Sequence, residues 1–150
     1  MKSPSPVPRV LIIVLRIFLG VVFFYASIDK ILYPSAFAEI VYNYRILPEA
    51  MIHVTAVVLP WLELLLGLFL ILDLWLPGAV LVANTLFIVF LGAIALNIAR
   101  GLDIDCGCFS SDGSPAPMYY YLGRDAFLFL MSLIAGFLVL NPRAFQQKAS

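Results

Sequence analysis

The residues most able to do chemistry in this chain are two cysteines separated by one glycine. The segment "DIDCGCF", residues 103–109, holds the chain's only two cysteines, Cys106 and Cys108. A turn brings Cα atoms two positions apart to within about 7 Å, which is within reach of a disulfide. Gly107 accepts backbone angles that a side chain would forbid. Closing so short a ring removes little chain entropy, and a strained, exposed disulfide is typical of thiol–disulfide exchange. The spacing therefore predicts a redox-active pair.

Charged residues around this pair act on it in opposite directions. Asp103 and Asp105 stand next to the cysteines and raise the pKa of a thiol, because negative charge disfavours the thiolate. Arg100 and Arg124 flank the same segment and lower that pKa when they come close. The pattern leaves open which cysteine attacks first.

Two other interpretations of the cysteines compete with redox exchange. Two thiolates helped by aspartates suit a soft ion such as copper(I) or mercury, and Cys106 and Cys108 would then be metal ligands in a transport protein. Two sulfurs are too few for a closed zinc site. The third interpretation is a non-catalytic assembly factor whose cysteines are incidental.

The elements that position this segment are set by the composition. The chain has 150 residues, is 63% hydrophobic and 12% charged, and has a mean hydropathy of +1.04. A soluble domain of this length cannot bury so much apolar surface, so the values predict a membrane protein. Four apolar stretches are long enough to span a bilayer. The formal net charge is +0, and no basic block suggests nucleic acid. We predict a single all-α domain, residues 1–150, with spans at about 9–32, 51–72, 77–99 and 120–140 and a cysteine loop at 100–120.

The connector at residues 33–49 is amphipathic. Phe37, Ile40, Val41 and Tyr44 recur at helical spacing between prolines. Tyrosine-rich amphipathic segments of this kind lie in the membrane interface. We therefore predict a short interfacial helix after the first span.

The distribution of basic residues predicts the orientation. Lys and Arg are nearly balanced between the two faces, and Arg16 near the start of the first span favours cytoplasmic termini. In a bacterial inner membrane this orientation exposes the cysteine loop to the periplasm, where a disulfide persists.

Two ionisable residues lie deepest in the predicted spans, Arg16 and Glu63. An unpaired charge at that depth is costly, so each should face the bundle and find a partner. The prediction is that Arg16 reaches towards Glu63. Such a pair either fixes the first two membrane helices or handles protons or a quinone.

A second group of charges lies at the ends of spans on the cysteine side. It consists of Asp29 and Lys30 after the first span and Arg124 and Asp125 at the start of the fourth. We predict cross-pairing of Lys30 with Asp125, and of Arg124 with Asp29 or Asp105. The group is either a surface network that contributes little or a positive field that holds a cysteine thiolate.

Several motifs in order carry a family resemblance. The stretch "LRIFLGVVFFYASIDKILYPSAF" resembles the opening of DoxX-like membrane proteins. The motifs "NYRILP", "LPWLELLLG" and "NIARGLDIDCGCF", followed by "RD" at the last helix, resemble the MauE branch more closely. The similarity covers about residues 15–130, and its most specific part is the C-G-C segment.

This resemblance implies a four-helix inner-membrane protein. The MauE family is associated with methylamine utilisation, where it is thought to help the disulfide-rich small subunit of methylamine dehydrogenase mature in the periplasm. Many relatives are linked to thioredoxin-like proteins. The resemblance thus implies that Cys106 and Cys108 are catalytic in a thiol–disulfide oxidoreductase, with a thioredoxin-like protein or a cysteine-rich client as the partner.

One dithiol carries two electrons that need a second carrier. Quinone-linked four-helix oxidases use two cysteine pairs, whereas this chain has one. A quinone between the helices near Glu63 is one candidate acceptor, and a relay of reducing equivalents across the membrane is the other. No cofactor motif is present, so the sequence assigns none.

Overall fold

The structure is a computed structural model that describes residues 7–101 and 118–140. Within these residues the chain forms five helices and no strand. The helices are α1 (Val7–Leu32), α2 (Pro34–Asn43), α3 (Glu49–Leu72), α4 (Leu76–Ala99) and α5 (Met118–Leu140).

Four of these helices are long and apolar enough to cross a bilayer: Arg9–Leu32, Glu49–Leu72, Leu76–Ala99 and Tyr119–Leu140. Large apolar side chains cover their outward faces, as a helix needs when its solvent is lipid. The predicted all-α membrane bundle is therefore confirmed, and the predicted short helix after the first span is α2.

The four membrane-length helices run alternately up and down. α1 packs most closely along α3, α4 along α5, and contacts of α1 with α5 and of α3 with α4 close the ring. One end of the bundle carries the end of α1, the start of α3, the end of α4 and the start of α5, and we call it the loop end. The opposite end carries the turn at residues 73–75, and we call it the turn end.

A tight turn joins α3 to α4 at the turn end. Asp73 ends α3 in the left-handed conformation with φ 61°, and Trp75 precedes α4 with φ 42°. The amide of Leu74 donates to the carbonyl of Phe69 at 3.0 Å, which satisfies one carbonyl that the helix end would leave free. Pro77 then stands in the first turn of α4, where its missing N–H costs nothing.

Two glycines bring α1 and α3 into contact. A methyl group on Gly67 would lie 2.8 Å from the carbonyl oxygen of Gly20 and 2.9 Å from the amide nitrogen of Phe24. Only glycine fits between two backbones at this distance, as at other close helix crossings in membranes. This crossing fixes the register of α1 against α3 and hence decides which charges meet.

The contact between α4 and α5 is polar in part. Asn84 donates from Nδ2 to the carbonyls of Val80, at 2.9 Å, and of Ser132, at 3.3 Å. Gly136 lies one turn beyond Ser132, and a methyl group there would be 3.2 Å from Val80. The small residues Ser132 and Gly136 therefore lie at the contact between α4 and α5.

The short helix α2 folds back on the first half of α3. Phe37 and Val41 of α2 are buried against Ile52 and Ala56 of α3. This packing follows the predicted apolar face of α2, and it covers the part of α3 that extends beyond the end of α1.

Candidate functional site

A buried ion pair joins α1 to α3 in the middle of the bundle. Lys30 Nζ donates to both carboxylate oxygens of Glu63, at 2.8 and 2.7 Å. Both side chains are 2% exposed. A charged pair at this depth is among the most costly features a membrane protein carries, and such residues mark functional sites.

Aromatic rings complete the surroundings of the Lys30 ammonium. The ring centroid of Phe37 in α2 lies 5.1 Å from Nζ, and that of Phe90 in α4 lies 5.3 Å away. The negative faces of aromatic rings attract a cation most strongly where water is excluded. The ammonium therefore contacts α2, α3 and α4 from its place on α1.

The fifth helix adds a second ion pair beside the first. Arg124 donates from Nε and Nη2 to Oδ1 of Asp125, at 2.9 and 2.7 Å, and its guanidinium lies 5.4 Å from the ring centroid of Tyr121. Asp125 is buried, and it interacts electrostatically with both Lys30 and Glu63. We call Lys30, Glu63, Arg124 and Asp125 the charge cluster.

The prediction that Arg16 pairs with Glu63 is wrong. Arg16 forms its ion pair with Asp73 at the turn end. The crossing at Gly20 and Gly67 sets a register that puts Arg16 on the turn-end side, within reach of Asp73. Lys30 and Glu63 lie on the loop-end side of the crossing, where their side chains meet. Two ion pairs, Arg16–Asp73 and Lys30–Glu63, therefore connect α1 to α3 at different depths.

The group of charges at the loop end is more deeply buried than a surface network. Lys30 is 3% and Asp125 4% exposed. Lys30 donates hydrogen bonds to Glu63 and interacts electrostatically with Asp125, and Arg124 forms an ion pair with its neighbour Asp125. Asp29 lies partly exposed beside Lys30 on α1.

Arg100 lies at the end of α4 and is exposed. Its Nη1 donates to the carbonyl of Arg45 at 3.4 Å, which ties the connector after α2 to the end of α4. Cys106, Gly107, Cys108 and Asp105 lie outside the described residues, so their proposed roles stay predictions. The described ends of that segment, Gly101 and Met118, belong to the loop end.

Two further polar features lie within the described helices. Asn97 in α4 is fully buried, and among the residues that the structure describes neither its Nδ2 nor its Oδ1 has a hydrogen-bond partner. A groove of about 560 Å³ lies between parts of α2 and α3, and the polar side chains of His53, Glu39 and Glu49 help to line it. Across residues 7–101 and 118–140, no three His, Cys, Asp or Glu side chains are placed to hold a metal ion.

Comparisons with known proteins agree on one family. Residues 8–139 match the family model described as "Methylamine utilisation protein MauE". Proteins named "Methylamine utilization protein MauE" are 37% identical over 109 residues in Paracoccus denitrificans, 36% over 131 residues in Methylorubrum extorquens and 39% over 93 residues in Methylophilus methylotrophus. These matches cover 72%, 86% and 61% of this chain.

The chain spans 58%, 70% and 49% of those three relatives' own lengths. No solved structure matches it significantly. The wider DoxX-like relationship stays a prediction, whereas the MauE branch is confirmed by the family match and by the relatives. The chain is thus a multi-pass membrane protein that belongs to the MauE family.

Proposed function

We propose that this chain is a membrane thiol–disulfide oxidoreductase that uses Cys106 and Cys108 to help a periplasmic protein mature in methylamine utilisation. The observation that carries the proposal is the placement of the chain's only two cysteines, one residue apart, in the connector between two membrane helices of a MauE-family bundle. The relatives' shared name supports the pathway. The spacing supports the chemistry, because a disulfide between cysteines so close in sequence closes a small, strained ring that is readily opened.

Disulfide exchange with a client takes two successive thiolate attacks. A client thiolate attacks one sulfur of the Cys106–Cys108 disulfide, so that bond breaks and a mixed disulfide forms. A second client thiolate then attacks the mixed disulfide and releases the other cysteine. The client gains one disulfide, and the pair receives two electrons and two protons. The reverse sequence reduces a client, and in either direction a second carrier must restore the pair.

The proposal includes an orientation and two partners. With cytoplasmic termini, the loop end faces the periplasm, which is the compartment where disulfides persist. The client is a thioredoxin-like or cysteine-rich periplasmic protein. The carrier that restores the pair is a membrane-soluble two-electron acceptor of the quinone class.

A trapping experiment tests this function. The Cys108→Ser and Cys106→Ser variants each leave one thiol, so one of them should retain the client as a mixed disulfide. Membranes quenched with acid and analysed without reductant should show this adduct, and reductant should release it. The double variant Cys106→Ser/Cys108→Ser is the matched control and should show no adduct.

Two results would overturn the proposal. One is the absence of any adduct from both single variants, together with a wild-type pair that resists mild dithiols. The other is copper or mercury that stays with the reduced wild-type protein through gel filtration while no adduct forms. The second result would favour the soft-metal alternative.

A further inference from the structure

We infer that the Lys30–Glu63 pair, together with Asp125, is a proton-exchanging site that opens to the loop end of the bundle through water bound at Asn97. The inference concerns the charge cluster alone and stands whether or not the cysteines exchange disulfides. It assigns a chemical role to charges that the membrane makes costly to keep.

Helix packing alone does not require the four charged side chains of the charge cluster. Apolar side chains of similar volume hold helices together as well as or better than a buried ion pair does. Here two carboxylates and two cations converge from three helices: Lys30 from α1, Glu63 from α3, and Arg124 and Asp125 from α5. α2 and α4 face Lys30 with the uncharged rings of Phe37 and Phe90. The charged groups therefore face one another in a setting that excludes bulk water.

Asn97 supplies the second, independent observation. It is 0% exposed, and both polar atoms of its amide are unpartnered. Buried polar groups are almost always hydrogen-bonded, and bound water is the usual partner where protein supplies none. Asn97 follows Phe90 by two turns on the same face of α4, about 10 Å further towards the loop end. A water at Asn97 thus lies between the charge cluster and the loop end.

The space between Phe90 and Asn97 carries further polar atoms. Ile94 lies between them on α4 and packs against Tyr44 and Tyr121. Both rings bear hydroxyl groups that donate and accept hydrogen bonds. In our inference these hydroxyl groups and water at Asn97 provide the polar groups between the charge cluster and the loop end.

The turn end offers no such route. The bundle below the charge cluster is filled by apolar side chains that are 0–8% exposed, among them Leu15, Leu19, Leu70, Leu76 and Val80. Asn84 Oδ1 and Ser132 Oγ also lack partners, about 9 Å from Phe90 towards the turn end. The same apolar layer separates those atoms, and the charge cluster, from the turn end.

The charges of the four side chains indicate where an entering proton binds. At rest Lys30 and Arg124 carry one positive charge each, and Glu63 and Asp125 one negative charge each, so the charge cluster is neutral. An entering proton goes to a Glu63 oxygen and leaves the charge cluster with one surplus positive charge. Arg124 stays bonded to Asp125, so both cations then share Asp125 as their counter-charge, and the Arg124 side chain, 21% exposed, is the best solvated of the four.

Infrared spectroscopy of the full chain in lipid nanodiscs tests this site. Lowering the pH should produce the carbonyl stretch of protonated carboxyl groups, and the wild-type spectrum minus that of Glu63→Gln should isolate the band of Glu63. Transfer into heavy water should shift that band, and Asn97→Leu should slow the shift about tenfold or more, because a hydrogen-bonded step is removed. The matched control Asn84→Leu should leave the rate unchanged.

The same measurements identify failure. The inference is overturned if the wild-type and Glu63→Gln spectra show the same pH-dependent carboxyl bands while the helices stay intact, or if Asn97→Leu exchanges as fast as the wild type. If Glu63→Gln does not accumulate, Asp125→Asn replaces it and must move the pH midpoint of the band. Repeating the measurement on Cys106→Ser/Cys108→Ser separates this site from thiol exchange, since the band must persist there.

Discussion

Lys30, near the end of α1, donates hydrogen bonds to both carboxylate oxygens of Glu63, deep inside α3. The two side chains are almost completely shielded. This contact joins the first two membrane helices at one depth, while Arg16 and Asp73 join them at another. The close approach of Gly20 and Gly67 lies between the two contacts, so three features together fix the register of α1 on α3.

The first prediction concerns the cost of breaking the Lys30–Glu63 pair. Lys30→Met and Glu63→Leu should each lower the free energy of unfolding by about 3 kcal/mol, because each leaves a buried charge without its partner. The double variant should recover most of that loss. Unfolding in mixed micelles measures all three, with the exposed Glu39→Leu as the control for Glu63→Leu. Additive losses in the double variant would mean that the two residues do not interact.

The second prediction separates the true partner of Arg16 from the one the sequence suggests. A double-mutant cycle on Arg16→Gln and Asp73→Asn should give a coupling energy of about 0.5–1 kcal/mol, since both side chains are partly exposed. Asparagine keeps the left-handed conformation of position 73 accessible. The parallel cycle on Arg16→Gln and Glu63→Gln should give none. Coupling of Arg16 with Glu63, and none with Asp73, would contradict the Arg16–Asp73 ion pair.

The third prediction concerns the α1–α3 crossing. Gly67→Ala should destabilise the bundle by about 1–3 kcal/mol, because the added methyl group meets backbone atoms that cannot move aside. Gly92 lies within α4 with open space around its Cα, so Gly92→Ala should be neutral or slightly stabilising. Thermal unfolding of both variants makes the comparison. Equal effects at the two positions would refute the close crossing.

Most of the fold could be predicted from the apolar stretches of the sequence and from the segments that interrupt them. Hydropathy alone marks the membrane helices, and Pro34, together with the spacing of Phe37 and Val41, indicates α2 and its buried face. These features are local, so a single sequence reveals them. Which side chains meet across helices is not local, and there the prediction for Arg16 failed.

The register of α1 against α3 determines the partner of Arg16, and this register has a signal in the sequence. Small residues mark close helix crossings in membranes, and Gly20 and Gly67 are such residues in the first two membrane helices. Pairing them puts Lys30 and Glu63 on the same, loop-end side of the crossing and Arg16 on the other side. The burial of Lys30 has no such signal, because it depends on α2 folding back so that the Phe37 ring covers the ammonium.

The fourth prediction concerns orientation. After reduction in intact cells, a membrane-impermeant maleimide should label Cys106 and Cys108 from outside, because the loop end faces the periplasm in our proposal. A cysteine introduced by Leu74→Cys into the Cys106→Ser/Cys108→Ser background provides the control at the turn end. It should be labelled only after lysis. Protection of the native cysteines until lysis would reverse the orientation.

The most direct test of the central claim is a redox titration of the wild-type pair. The protein in nanodiscs is equilibrated with dithiol buffers of known potential and quenched with acid, and its free thiols are then counted by mass. The account predicts one two-electron transition between Cys106 and Cys108 with a midpoint well above about −300 mV, the range below which structural disulfides lie. Thiols that remain free throughout, or a midpoint below about −300 mV, would contradict it.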